Sequence, residues 1–429
     1  MSGFGSNERK TKKSEEKKIK TLQRDKLISN AFSLHSSGKI KEAADVYNFL
    51  IQKKIYDPRV FNNLGSIYSN LKQFDKAILL FDESIKKFPN SLEAYINLAN
   101  VMIIKGKSDI AKKILNKVIE LNPNYLKPYS NLAGIFVGEG NFEKAEFFLR
   151  RSLEINPKDI NTLVNLACVL KDLGNPKQAE RFLRDALEIN PKYDSALVNL
   201  GAVLNELGKI DEGEEFLKKA LKINPNSPMA LNNLGNILSK KNKNKEAELF
   251  YRKAIELKSD FFLAYDNLGS LLSKQGNLIE AEKFTEKAIN YNPKFELAYV
   301  NLGSIKIDLD KLLEAEELFL GAIQINENYS YAYRNLFRLY EKTNSIEKLK
   351  NKLKTLNANK SIINEKILFQ ARIFFREKDY IKAKKLIDQV SDEWINNTDH
   401  QTNLLYWSYK AFIEEKVGNY DEAFKCFEN

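Results

Sequence analysis

The tripeptide Asn-Leu-small recurs through most of this sequence at a constant interval of 34 residues. Its nine copies begin at Asn63, Asn97, Asn131, Asn165, Asn199, Asn233, Asn267, Asn301 and Asn335. The third residue is Gly or Ala in the first eight copies and Phe337 in the ninth. A fixed period of this length, with no insertion, indicates an array of similar units that bury their apolar faces against one another.

Further columns follow the same period when Pro58 is numbered as position 1 of a repeat. Positions 8, 20 and 27 are small, whereas positions 7 and 24 carry large apolar residues such as Leu64 and Phe81. Gly or Asn is usual at position 15, where a left-handed residue would end a helix. Proline is frequent at position 32, where it marks a boundary because it cannot sit inside a helix. Each unit is therefore predicted to be helix A, a tight turn, helix B and a short linker.

This set of columns resembles the tetratricopeptide repeat. The resemblance implies an all-α fold, namely a right-handed superhelical α-solenoid of helix-turn-helix repeats. We expect a disordered basic arm at residues 1–23, eleven repeats of 34 residues at residues 24–397, and an insertion followed by an incomplete twelfth repeat at residues 398–429. The unit at 330–363 departs most from the pattern, since Phe337 stands where a small residue belongs, and its helices are predicted to sit further apart.

Composition excludes several classes of function. The 429 residues include two Cys and two His, which is too few for a disulfide framework or a Cys- and His-based metal centre. No catalytic motif is present, so the sequence leaves open whether the chain serves an enzyme and predicts no metal and no cofactor. Cys168, at position 9, has no His nearby in the sequence and is interpreted as a packed or groove-lining thiol.

The net charge of +11 is concentrated at the N-terminus, where residues 1–24 hold eight Lys or Arg against three Glu. Such an arm could serve solvation, non-specific contact with nucleic acid or acidic membrane, or docking to an acidic partner. The rest of the chain does not cluster basic with aromatic residues, so specific nucleic-acid binding is not expected. Neither a secretory signal nor a stretch long enough to span a membrane is evident, and we predict a soluble, cytoplasmic protein.

Position 6 is asparagine in all nine central repeats, whereas position 5 ranges from Ile96 to Asp266 and Arg334. Each asparagine costs roughly 0.5–0.7 kcal/mol relative to Ala within a helix. The column resembles the asparagine ladder in the repeat arm of O-linked N-acetylglucosamine transferases, which grips the main chain of an extended polypeptide. The resemblance implies that the chain is a scaffold that captures extended polypeptide or another protein in a concave groove. Two alternatives stay open: the amides bond to a neighbouring repeat and set the stacking angle, or they are inherited by duplication without a role.

The weakest central repeat also carries a basic stripe, formed by Arg334, Arg338 and Lys342 at helical spacing. Arg334 and Arg338 are candidate ligands for an acidic segment, a phosphate or a sulfate. A solvated charged stripe is the alternative interpretation.

The N-terminal sequence, from Met1 to Gly5 and through the Lys-rich tract, is similar to that of a group of marine bacterial repeat proteins in which the array precedes a sulfotransferase or another transferase. This resemblance implies a second function: the substrate-recognition arm of a transferase whose catalytic domain lies beyond Asn429. The last unit stops inside its second helix, which favours the same expectation.

Overall fold

The structure, a computed structural model, describes residues 24–355, 362–396 and 400–428. These residues divide into two compact units, the first ending at Phe216 and the second beginning at Leu217. Every regular element in the described ranges is a helix, so the predicted all-α solenoid of helical hairpins is confirmed. Among these helices, none is long and apolar enough to cross a membrane. The predicted basic arm at residues 1–23 lies outside the described part.

Helix α1 covers described residues 24–36, and odd-numbered helices up to α21 are helix A of their repeats. The helices that come next in the sequence are α2 (Ile40–Gln52), α3 (Pro58–Asn70), α4 (Phe74–Lys87), α5 (Leu92–Ile104), α6 (Ser108–Leu121), α7 (Lys127–Gly138), α8 (Phe142–Ile155), α9 (Ile160–Asp172), α10 (Pro176–Ile189), α11 (Asp194–Glu206) and α12 (Ile210–Ile223). The boundary between the two units falls within α12.

The second unit continues with the same alternation. Its helices are α13 (Pro228–Lys240), α14 (Asn244–Leu257), α15 (Phe262–Lys274), α16 (Leu278–Tyr291), α17 (Glu296–Asp308), α18 (Leu312–Ile325), α19 (Ser330–Lys342), α20 (Ile346–Thr355), α21 (Ile363–Arg376), α22 (Tyr380–Ile387), α23 (Asp392–Asn396), α24 (His400–Lys416) and α25 (Tyr420–Glu428). Towards the C-terminus the pattern changes: α22 has 8 residues, α23 has 5 and α24 has 17.

A left-handed residue ends helix A in each repeat from α3 to α21. Position 15 has a positive φ throughout, from 54° at Asn344 to 80° at Gly276. The same conformation occurs without glycine at Lys72, Asp310 and Lys378, with φ of 59°, 60° and 66°. The predicted left-handed turn is therefore confirmed, and it persists in repeats whose side chain makes it less favourable.

Several hairpins have at their core a close approach between position 8 of helix A and position 24 of helix B. A Cβ atom built on Gly303 would lie 2.5 Å from Cε1 of Phe319, and one on Gly235 would lie 2.6 Å from Cε1 of Tyr251. Gly65 faces Phe81 in the same way. Where position 8 is alanine, at Ala99, Ala133 and Ala167, position 24 is instead leucine, at Leu115, Leu149 and Leu183. In these six pairs the chain thus balances a smaller residue against a larger one, as close-packed interiors require.

The B helices are connected to one another by a repeated polar contact. Arg184 Nη2 lies 2.8 Å from Glu180 Oε1 in its own helix and 2.6 Å from Glu212 Oε1 in the next B helix. Arg252 repeats both contacts with Glu248 and Glu280 in the second unit. Successive A helices, by contrast, pack directly on one another within each unit, as α3 does on α5 and α15 on α17. The A helices therefore form the more crowded side.

We expect Gly303→Ala to lower the free energy of unfolding by about 1–3 kcal/mol, because its methyl group would overlap the Phe319 ring. Helix propensity alone predicts the opposite, a gain of about 1 kcal/mol. Adding Phe319→Leu should recover part of the loss, since Ala133 and Leu149 already form such a pair. Urea unfolding of the two single variants and the double variant measures the coupling. A Gly303→Ala variant as stable as the wild type would contradict this packing.

Candidate functional site

The asparagine column of position 6 lies on the A-helix side of the array. Asn165 is exposed, and the other eight members are half-buried. The nine residues fall into three groups according to the hydrogen bonds that their side-chain amides make.

Four amides reach into the preceding repeat. Asn131 Nδ2 donates to Asn100 Oδ1 at 2.8 Å, and Asn267 Nδ2 donates to Asn232 Oδ1 at 2.9 Å. Asn301 Nδ2 lies 3.0 Å from both carboxylate oxygens of Asp266. The fourth, Asn63 Nδ2, donates to the hydroxyl group of Tyr47 at 3.1 Å. These contacts have the form of the stacking alternative, in which the amide fixes one repeat against the next.

Two amides bond to their own helix. Asn199 Nδ2 donates to the carbonyl oxygen of Ser195 at 2.9 Å, and Asn335 Nδ2 donates to that of Tyr331 at 2.8 Å. Such local bonds satisfy the donor without linking repeats.

Asn97, Asn165 and Asn233 differ from the rest because their side chains have no hydrogen-bond partner among the described residues. They occur in every second repeat, and the amides of Asn131 and Asn199, which lie between them in the sequence, are bonded. An unpaired amide on an accessible face keeps two donors and one acceptor for an external group.

A buried carboxylate interrupts the neutral amides of the second unit. Asp266, at position 5 of α15, is 2% exposed. Burial raises the pKa of its carboxyl group to about 6, and the hydrogen bond from Asn301 works in the opposite direction. The equivalent residue one repeat earlier is Asn232, which accepts a similar bond without a charge. The charge of Asp266 is therefore not needed to join the repeats.

We expect Asp266→Asn to stabilise the fold at pH 7 by about 1–3 kcal/mol, since a pKa of about 6 in the folded state exceeds the unfolded value of about 3.9. The folded state binds the extra proton between these values, so wild-type stability falls as the pH rises from about 4 to about 6. The advantage of the variant should vanish near pH 4. Urea unfolding at pH 4, 5.5 and 7 measures it, with the exposed Asp260→Asn as control. Equal stability of variant and wild type at pH 7 would contradict the destabilising charge.

The candidate anion ligands lie in a set of ion pairs that sequence reasoning did not find. Arg334 is 8% exposed, and its Nη2 lies 2.9 Å from Oε1 of Glu365, which is 1% exposed. Arg338 Nη2 donates to the hydroxyl group of Thr402 at 3.0 Å. Arg372 pairs with Glu341 at 2.6 Å. A buried guanidinium already paired with a buried carboxylate has little charge left for an external anion. Glu365 and Arg372 lie on helix A of the next repeat, and from that position in the sequence their pairing with the preceding helix A could have been predicted.

The described residues contain no group of three or more His, Cys, Asp and Glu that could hold a metal ion. Of the two free cysteines, Cys168 is half-buried and Cys426 is buried.

Comparison with known proteins places these hairpins in a family. A family model described as the cilia and flagella-associated protein 70 C-terminal domain matches residues 19–267, more than half of the chain. A second model, described as a tetratricopeptide repeat, matches residues 263–295 and 297–329. The BBSome complex member BBS4 of Bos taurus is 35% identical over 102 residues, which are 22% of this chain. Those residues are 18% of the bovine protein, so this chain spans about a fifth of the length of that relative.

Two solved structures share the helical-repeat fold. A tetratricopeptide repeat protein from Parabacteroides merdae ATCC 43184 aligns with a TM-score of 0.50 at 23% identity, over 58% of this chain and 98% of that one. The human IFIT1 dimer with PPP-AAAA aligns with a TM-score of 0.52 at 18% identity, over 93% of this chain and 87% of that one. Identities this low show the fold alone. Since the first family model covers more than half of the sequence, this chain belongs to the tetratricopeptide-repeat family of the cilia and flagella-associated protein 70 C-terminal domain.

Proposed function

We propose that this chain is a protein-binding scaffold whose A helices capture extended polypeptide. Asn97 and Asn165 in the first unit, and Asn233 in the second, each contact polypeptide main chain. The observation that carries the proposal is that these three amides have no hydrogen-bond partner among the described residues. Because a helical asparagine costs roughly 0.5–0.7 kcal/mol relative to Ala, an amide without an internal bond gives the fold nothing in return. An external partner would make use of it.

The chemistry of the amide favours the main chain of a polypeptide as that partner. One carboxamide can donate to a peptide carbonyl group and accept from a peptide N–H, and every residue of an extended chain offers both. Binding of this kind has little sequence preference. The bovine relative is by name a member of a complex, and a protein-binding role for this chain agrees with that.

The position-6 column would then have two roles. Asn131, Asn267 and Asn301 join repeats through bonds to Asn100, Asn232 and Asp266, whereas Asn97, Asn165 and Asn233 bind the ligand. Substitutions in the first group should lower stability, whereas substitutions in the second should weaken binding, so the two roles can be tested separately.

Replacing Asn97, Asn165 and Asn233 together by Ala should weaken polypeptide binding about tenfold or more, because each neutral hydrogen bond is worth about 0.5–1.5 kcal/mol. Stability should hold or rise, since alanine is the better helix former. The measurement is fluorescence anisotropy on an array of unstructured 15-residue peptides, with unfolding followed by circular dichroism. Asn116→Ala, an exposed asparagine of helix B, is the matched control. Unchanged affinities for the triple variant would rule out main-chain binding by these amides.

Asn301→Ala should act on stability instead. It leaves the 2% exposed carboxylate of Asp266 without its donor, which we expect to cost about 1–3 kcal/mol at pH 7. The loss should be smaller in an Asp266→Asn background, where no buried charge remains. Urea unfolding of this pair decides the point, and a loss that is equal in both backgrounds would contradict the bridging role.

A further inference from the structure

A pocket of about 220 Å³ opens beside one of the three unpaired amides, between α7 and α9. Its lining is mostly apolar and consists of Ser130, Ala133, Gly134, Val137, Leu149, Asn165, Cys168, Val169 and Asp172. All of these residues belong to the first unit. Most come from the A helices, and Leu149 of α8, which is 1% exposed, is the single contribution from a B helix.

The pocket exists because helix α7 lacks a side chain at position 9. A Cβ atom built on Gly134 would meet no other atom within 4 Å, so the space above it is open. The next turn of the helix exposes an apolar wall, since Val137 is 41% exposed. Other repeats carry Ser66, Asn100 or Cys168 at position 9, and the open space at this site is thus a property of one repeat.

The charges at the pocket favour a neutral occupant. Its one carboxylate, Asp172, is exposed, and one of its oxygens lies 3.3 Å from the Lys171 ammonium group. Burial raises the pKa of the Cys168 thiol, which keeps that group neutral at pH 7. With no unpaired charge to receive it, a charged side chain would lose hydration without compensation.

We propose that this pocket receives one aliphatic or aromatic side chain of the captured polypeptide, next to the main-chain contact made by Asn165. The proposal rests on the proposed function and adds a preference to it: a polypeptide held with little sequence selectivity by the first unit is placed in register by one apolar residue. The volume is sufficient, because an apolar cavity of about 150 Å³ is enough to hold a benzene molecule.

The test uses the full chain and the array peptide that binds it most tightly. Each apolar residue of this peptide is replaced by Ser in turn. For the wild type, we expect one such replacement to weaken binding about tenfold or more, as expected for a buried leucine-sized side chain.

Gly134→Leu should remove that preference by filling the pocket. The original peptide should bind this variant about tenfold more weakly, and the critical Ser replacement should have no further effect. The variant should fold, because the site has room for a side chain and leucine is a better helix former than glycine. Gly138→Leu is the matched control: Gly138 lies in the same helix, is equally open, and does not line the pocket. It should bind like the wild type.

A second readout reports on the site itself. Alkylation of Cys168 by N-ethylmaleimide, followed by mass spectrometry, should slow when the original peptide is present and not when its critical residue is Ser. A Gly134→Leu variant that binds like the wild type, or a Cys168 thiol that the peptide does not protect, would overturn the pocket. If Asn165→Ala still weakens all peptides in that case, the proposed function stands without the pocket. If Asn165→Ala does not weaken binding either, the proposed main-chain contact at Asn165 is contradicted as well.

Discussion

The contact between position 8 of helix A and position 24 of helix B is the constraint on which the rest of this structure depends. At Gly303 and Phe319 the backbone of one helix lies directly against the ring of the other. This approach fixes how helix A is rotated against helix B in that hairpin, and the pairs Gly65–Phe81 and Gly235–Tyr251 repeat it. Position 6 lies two residues before the packed position 8, so its side chain has the same orientation on helix A in each of these hairpins.

The two sides of the array use polar residues differently. Contacts such as Arg184 with Glu212 join exposed surfaces of the B helices, where an ion pair is worth about 0–1 kcal/mol. On the A side some polar groups are buried, as Asp266 and Asn232 are at 2% exposure, and these buried groups need a partner. The A side is thus where a change of one side chain alters both stacking and the groups left for a ligand.

The sequence predicted the period, the hairpins and the left-handed turn at position 15, because these follow from local residue types. It could not predict which asparagines bond within the protein. That choice depends on the partner one repeat away: Asn100 at position 9 accepts from Asn131, and Asp266 at position 5 accepts from Asn301. The ion pair of Arg334 with Glu365 was hidden for the same reason, since it joins residues 31 positions apart.

The claim that unpaired amides hold a polypeptide by its main chain can be tested on the ligand itself. The measurement compares the affinity of a bound peptide with that of two analogues: one carries methyl groups on alternate main-chain nitrogens, and one has its side chains reordered around a fixed apolar residue. Main-chain capture predicts that the methylated analogue binds about tenfold or more weakly, because its donors are removed, while the reordered analogue binds within about threefold of the original. A methylated peptide that binds as tightly as the original, together with a reordered one that does not, would contradict it.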